Sequence, residues 1–229
     1  MRDFPVFDTE FGIASLILKE VPYRQEAYII IQSTQQPEEL LRECVAFCRM
    51  VGAERIYARG HEYLERFPLH TVILEMHGEV RTDGKPENLF PVTQQTAAKW
   101  RGIYNESMRG VDNSATLEAR DEKKLLESGG AYFVHRDGSL LGIGWLEDNK
   151  LLAIAATQPG AGERVLGTLM TLIPAETMTL EVASTNKRAI RFYEKMGFLT
   201  VGEVNRWYRV TGEKTEKFYC CTGKILDIR

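Results

Sequence analysis

No apolar stretch in this chain approaches the ~20 residues that a membrane-spanning helix needs. The longest, Ala27–Ile31 and Leu151–Ala156, are far shorter, so no transmembrane helix is expected. The first residues, Met1-Arg2-Asp3-Phe4-Pro5, lack the apolar core of a secretory leader, which points to a cytoplasmic location. Cysteine is scarce: four residues in two pairs, Cys44/Cys48 and Cys220/Cys221. No second pair of Cys or His stands at zinc-ligand spacing, so free thiols are expected, with no metal and no disulfide framework. Histidine is equally sparse, and His61, His70, His77 and His135 are scattered without forming a Cys–His or Ser–His dyad. An excess of positive charge is also missing. With 29 basic against 32 acidic residues the net charge is −3, which argues against a nucleic-acid partner.

What is present is ordinary globular composition, 44% hydrophobic and 27% charged over 229 residues, long enough for two domains. In the first part, Gly12–Lys19 and Glu26–Gln32 read as strands around a turn at Pro22. A helix follows, with Ser33 or Thr34 able to cap it and Pro37, Glu38 and Glu39 suited to its first turn. Leu40, Leu41, Cys44, Phe47, Cys48 and Val51 recur at helical spacing on one face, and Gly52 ends it. Strands at Glu54–Ala58 and Thr71–Met76 enclose a short helix near His61–Arg66. The segment Gly78–Glu87 has no apolar period and carries Gly, Asp, Lys and Pro, which marks it as a linker. The expected division is therefore a small α/β domain over 1–82 and a larger domain over 88–229.

In the larger part a strand at Leu89–Val92 precedes helices at Thr93–Tyr104 and Glu118–Glu127. Strands at Ala131–His135, Leu140–Glu147 and Lys150–Ala156 are joined by Asp137-Gly138 and Asp148-Asn149, turns suited to antiparallel hairpins. A helix over Glu163–Ile173, a strand over Met178–Ala183 and a helix over Lys187–Met196 come next. Three more strands are expected at Leu199–Val204, Trp207–Val210 and Phe218–Ile225. The fold class is mixed α/β.

The segment Thr179–Phe198 reads TLEVASTNKRAIRFYEKMGF. Met178, Leu180 and Val182 alternate onto one strand face, and Thr179, Glu181 and Ala183 onto the other. Thr185 or Asn186 can cap the following helix, which Gly197 stops. With Leu180, Val182, Asn186, Ala189, Tyr193, Gly197 and Phe198 at these offsets, the segment resembles the strand–loop–helix signature of the GNAT acetyltransferase superfamily. Its wording is most similar to the branch that acetylates protein N-termini. The order of elements from Leu89 to Val210 is similar too. The strand–helix–strand order of residues 1–82 also allows a degenerate GNAT-like half there.

The resemblance implies acetyl-CoA as acyl donor and a second motif between Ala156 and Met170, where the chain reads ATQPGAGERVLGTLM. Backbone N–H groups at a helix start make an anion site, so Gly160, Ala161, Gly162 and Glu163 are the expected pyrophosphate cradle. A tight turn before an amphipathic helix would produce the same residues. The family usually has Arg or Gln three residues before the first of these glycines. Thr157 stands there instead, with Gln158 one place late, so fewer charge-assisted contacts to phosphate are expected.

Acyl transfer from a thioester to an amine needs a neutral amine, a polarised carbonyl and a proton for the departing thiolate. The resemblance places Tyr193 as the acid, with a core aromatic as its alternative role. Glu181 is the expected base, or else a carboxylate paired with a neighbouring cation; Glu147 is a second candidate. Asn186 would orient the cofactor or simply cap its helix. A backbone N–H near Ala155 or Ala156 would polarise the carbonyl. Trp100, Tyr104 and Trp145 suit either an acceptor pocket or a core. The resulting expectation is an N-acetyltransferase for a small amine or a peptide N-terminus, acting as monomer or homodimer. A non-catalytic GNAT-like acyl-CoA sensor or interaction module is the alternative.

Overall fold

The structure, a computed structural model, describes residues 5–81 and 85–211. Its elements in chain order are β1 (Val6–Thr9), β2 (Gly12–Ile17), α1 (Val21–Arg24), β3 (Glu26–Thr34), α2 (Pro37–Met50), β4 (Arg55–Arg59) and β5 (Leu69–Glu79). They continue with β6 (Asn88–Pro91), α3 (Ala97–Met108), α4 (Glu122–Ser128), β7 (Ala131–Arg136), β8 (Ser139–Glu147) and β9 (Lys150–Ala156). The last are α5 (Gly162–Met170), β10 (Thr177–Ala183), α6 (Lys187–Lys195) and β11 (Leu199–Arg209). Short 3₁₀ turns cover Glu62–Arg66 and Ala119–Asp121. The chain divides into two compact units, one running to Val72 and resuming at Asn205, the other Ile73–Val204. These divisions fall inside β5 and β11, whereas the linker read from composition, Gly78–Glu87, starts within the last residues of β5.

In the first unit the sheet order is β1-β2-β3-β4, with the end of β11 added through Tyr208↔Ala58 and Arg209↔Tyr57. β3 and β4 are parallel, which makes β3–α2–β4 a crossover unit. Of the apolar stripe expected on α2, Leu40, Leu41, Cys44 and Cys48 are buried and pack with Leu16, Ile29 and Ile56, joined by Val45; Phe47 is half-buried and Val51, just past the helix end, is exposed. Cys44 and Cys48 are free thiols in this core, and burial pushes both up to about 12. The cysteines at 220 and 221 and the strand expected at 218–225 lie outside the described residues.

The second unit has a six-stranded order, β5-β10-β9-β8-β7-β6. The hairpins β7–β8 and β8–β9 are antiparallel, and Asp137 and Asp148 take the left-handed backbone that their tight turns require. Helices cover both sheet faces. On one, Val165, Leu166, Leu169 and Met170 of α5 and Tyr193 of α6 pack against Met178, Leu180 and Val182 of β10. On the other, Trp100 of α3 and Leu125 of α4 pack against Phe133, Ile143, Trp145, Ala153 and Ala155. The sequence reading missed β1. Where two strands were expected at Leu199–Val204 and Trp207–Val210, β11 is one strand that continues through half-buried Asn205 and exposed Arg206.

Candidate functional site

β9 and β10 are parallel neighbours joined at only two register pairs, Thr179↔Lys150 and Leu180↔Leu151. Beyond these, β9 runs on through Leu152–Ala156 and β10 through Glu181–Ala183 with no pairing between them. Each keeps its other neighbour: β8 along β9 and β5 along the whole of β10. A parallel ladder that stops while both strands continue leaves a gap in the sheet lined by backbone polar groups.

The alternation of an antiparallel ladder shows which groups those are. Thr157 N–H donates to Leu141 O at 2.9 Å, so in the same register Ala155 belongs to a hydrogen-bonded pair with Ile143, and Ala156 faces away from β8. Of the two expected carbonyl-polarising donors, Ala155 N–H is thus occupied in the ladder, and Ala156 N–H is directed to the gap side. The Ala155 methyl lies in the core under α3, while Ala156 is exposed.

The loop leaving β9 is stapled down. Thr157 Oγ1 and Gln158 Nε2 both donate to Leu140 O, at 2.8 and 2.9 Å. Both side chains are therefore engaged with β8. Gly160 takes φ +76, a left-handed backbone that suits a residue without Cβ. Ala161, fully buried, caps α5 and accepts the first helical bond from Val165 N–H at 3.0 Å. The N–H groups of Gly162, Glu163 and Arg164 precede that first bond, and an α-helix leaves such groups without an intrahelical acceptor. They are the positive end of the helix dipole, the end that favours negative charge. Against this, the Glu163 carboxylate sits in the same turn, ion-paired with Lys195 of α6.

The remaining candidates separate by face. Glu181 is on the β10 face opposite Leu180 and Val182, about 40% exposed, and its carboxylate pairs with Lys150. The carboxylate–cation pairing considered for it is present. Tyr193 is on the other side, 8% exposed within the α5/α6 core, with ring centroids 5.3 Å from Phe192 and 5.6 Å from Phe198. Burial raises its phenol well above the ordinary tyrosine value. Among the described residues its hydroxyl makes no hydrogen bond, so the proton is held but not committed. Asn186 caps α6, its Oδ1 accepting from Ala189 N–H at 3.1 Å. This is the capping role, and it leaves only the amide NH₂ for anything else. Glu147 is exposed at the β8–β9 turn opposite Lys150.

Trp100, Tyr104 and Trp145 form an aromatic cluster. The Trp100 ring stacks on Tyr104 at 5.6 Å and meets Trp145 edge-on at 6.1 Å. Both indole N–H groups have partners, Tyr132 O at 3.1 Å and Ser128 Oγ at 3.0 Å. Trp100 and Trp145 are core residues, not pocket walls. Among the described residues no group of three or more His, Cys, Asp or Glu could hold a metal ion. Nor is any helix among them long and apolar enough to cross a membrane.

No family model matches the sequence, and no curated protein matches it. Solved structures do. A GNAT-family acetyltransferase from Colwellia psychrerythraea aligns with TM-score 0.52 and 13% identity, over 87% of this chain and 81% of its own. A tandem GNAT protein from the clavulanic acid biosynthesis pathway aligns at 0.50 and 12%, over 89% and 80%. A functionally unknown conserved protein from Staphylococcus epidermidis aligns at 0.57 and 8%, over 91% and 94%. At these identities the likeness is one of fold: the chain has the GNAT fold, a mixed α/β architecture, and its neighbours include a tandem GNAT protein.

Proposed function

Starting from that fold, we propose that the chain is an acetyl-CoA-dependent N-acetyltransferase that acylates a primary amine by direct transfer, with no covalent enzyme intermediate. The amine belongs to a small molecule or a peptide N-terminus. The observation that carries the reading is the β9–β10 gap, which joins the α5/α6 face of the sheet to the face bearing Glu181. Two reactants can meet there, each entering from its own face.

The residues fit such a donor. The N–H groups of Gly162, Glu163 and Arg164 would hold the pyrophosphate, with Gly160 and Ala161 shaping the turn that presents them. The bound thioester supplies the activated acetyl group. Ala156 N–H, aimed at the gap, would polarise the acetyl carbonyl by a fixed dipole that needs no reorganisation. Glu181 would take the proton from the amine, directly or through water, and Lys150 holds the carboxylate in place. Tyr193 would deliver a proton to the departing sulfur. Its burial keeps the phenol protonated, which a general acid requires. A division into domains at 1–82 and 88–229, a cytoplasmic location and a monomeric or dimeric state belong to the same proposal.

One observation favours a second reading, an acyl-CoA sensor without turnover: Thr157 and Gln158 are tied to Leu140, so the loop brings no side chain to phosphate. Calorimetric titration with acetyl-CoA, followed by an amine screen for CoA release, tests both. Micromolar binding with release supports the transferase, and binding without release supports the sensor. No binding at millimolar acetyl-CoA refutes both.

A further inference from the structure

The first unit contains a cleft of about 390 Å³ that no part of the acyl-transfer reading uses. It is lined by Arg59 at the end of β4, by His61, Glu62 and Glu65 of the following 3₁₀ turn, and by Asn205 and Arg206 of β11. The chain reaches it through Gly60, at φ +104, where a Cβ would lie 2.3 Å from Ile31 O. Only glycine lets the chain leave β4 so close to β3 and enter the Glu62–Arg66 turn.

Two side chains in this cleft hold buried polar atoms without a partner among the described residues: Arg59 Nε, a donor, and Asn205 Oδ1, an acceptor. Among the described residues Arg59 also makes no ion pair, although its side chain is half-buried and its Nε is out of reach of water. It is nonetheless fixed, lying 5.2 Å over the Trp207 ring, which itself meets Tyr28 edge-on at 5.2 Å. Trp207 and Tyr28 are core residues, so the cation rests on a rigid aromatic platform. A desolvated donor and a desolvated acceptor in one cleft are groups that structures ordinarily satisfy. A ligand entering the cleft would supply the complement.

The charge balance narrows its chemistry. Arg59 and Arg206 face Glu62 and Glu65, so with His61 neutral the lining carries no net charge. The two carboxylates would repel a phosphate dianion, whereas a ligand with both signs finds partners for each. His61 Nδ1 accepts from Tyr63 N–H at 3.0 Å, so the neutral ring carries its proton on Nε2 and offers a donor. The volume lies at the small end of the range for small-molecule sites. We infer that this cleft is a binding site for a free α-amino acid or similar small zwitterion. Its carboxylate would lie on the Arg59 guanidinium and its ammonium at Asn205 Oδ1, beside Glu62 and Glu65. The site is independent of the acyl-transfer proposal and would stand if that proposal failed.

The test is calorimetry on the full chain with each common L-α-amino acid in turn. At least one should bind with a Kd between about 10 µM and 1 mM, the range open to so small a ligand. Its N-acetyl derivative and its decarboxylated amine, each lacking one charge, should bind at least about tenfold more weakly. Arg59→Gln and Asn205→Ala should each weaken binding about tenfold or more while the chain still melts cooperatively. If Arg59→Gln fails to fold, Asn205→Ala decides alone. The inference is overturned if no amino acid binds at about 10 mM. Preference for inorganic phosphate overturns it too. So does binding that survives substitution in a folded variant, because the amino acid is then held elsewhere, as an acceptor amine would be.

Discussion

Replacing Tyr193 by Phe removes one oxygen and leaves the ring in its packing against Phe192 and Phe198. Because the hydroxyl has no hydrogen-bond partner among the described residues, no buried polar atom is orphaned by the change. Stability should therefore shift by no more than about 0.5 kcal/mol, which for a chain of this size is within about 2 °C of melting temperature. The proposed acetyl-CoA cradle is the N-terminus of α5, so the Kd for acetyl-CoA should stay within about threefold. The turnover number should not survive. A positioned general acid contributes about 10²–10⁴-fold, so kcat should fall at least about a hundredfold, near 2.7 kcal/mol of transition-state free energy. The assay is CoA thiol release with the best amine from the screen, at saturating acetyl-CoA. Burial holds the phenol above its ordinary value, so the wild-type rate should show no falling limb from this group up to about pH 10. A Phe variant that keeps kcat within about threefold of wild type refutes the acid role. A rate loss accompanied by weakened binding or a large fall in melting temperature refutes it as well, since packing would then explain the loss.

Glu181→Gln should lower kcat/KM about a hundredfold or more and leave stability within about 1 kcal/mol, because its pair with Lys150 is well exposed. Unchanged kcat/KM would move the base elsewhere, Glu147 first. The buried thiols make an alkaline prediction: Cys44 and Cys48 are pushed up to about 12 from 9.0. Above pH 9 the unfolded chain loses these protons and the folded chain keeps them. Stability is therefore full below pH 9 and should fall by about 1 kcal/mol per pH unit for each thiol as the pH rises toward 12, with Tyr28 and Tyr193 adding to the slope above 10. Urea midpoints at several pH values check this, and a slope unaltered in C44A/C48A would refute the thiol contribution.

The elements were legible in the sequence wherever periodicity and punctuation agreed. α2 has a proline start, an acidic first turn and an apolar stripe, of which the structure buries Leu40, Leu41, Cys44 and Cys48. β10 and α6 were legible from the alternation of Met178, Leu180 and Val182 and from the Asn186 cap, because both features depend on neighbours close in the chain. The gap between β9 and β10 was not. It arises because a ladder stops after Leu151↔Leu180 although both strands continue, and nothing in Leu152–Ala156 or Glu181–Ala183 taken alone encodes that divergence. The same distinction explains the site residues. Asn186 as a cap needs only Ala189, three residues away. The engagement of Glu181 depends on Lys150, and that of Gln158 on Leu140, contacts made across strands that only the fold brings together. It also explains why the Arg59 cleft went unnoticed, since Arg59 and Asn205 are far apart in the chain and meet only where the end of β11 joins β4. Local pattern therefore reaches those parts of the proposed acyl-transfer site that a helix end or a strand face defines. The chemistry assigned to Glu181, Ala156 and Arg59 depends on which partners are present and which are missing, and partners are set by topology.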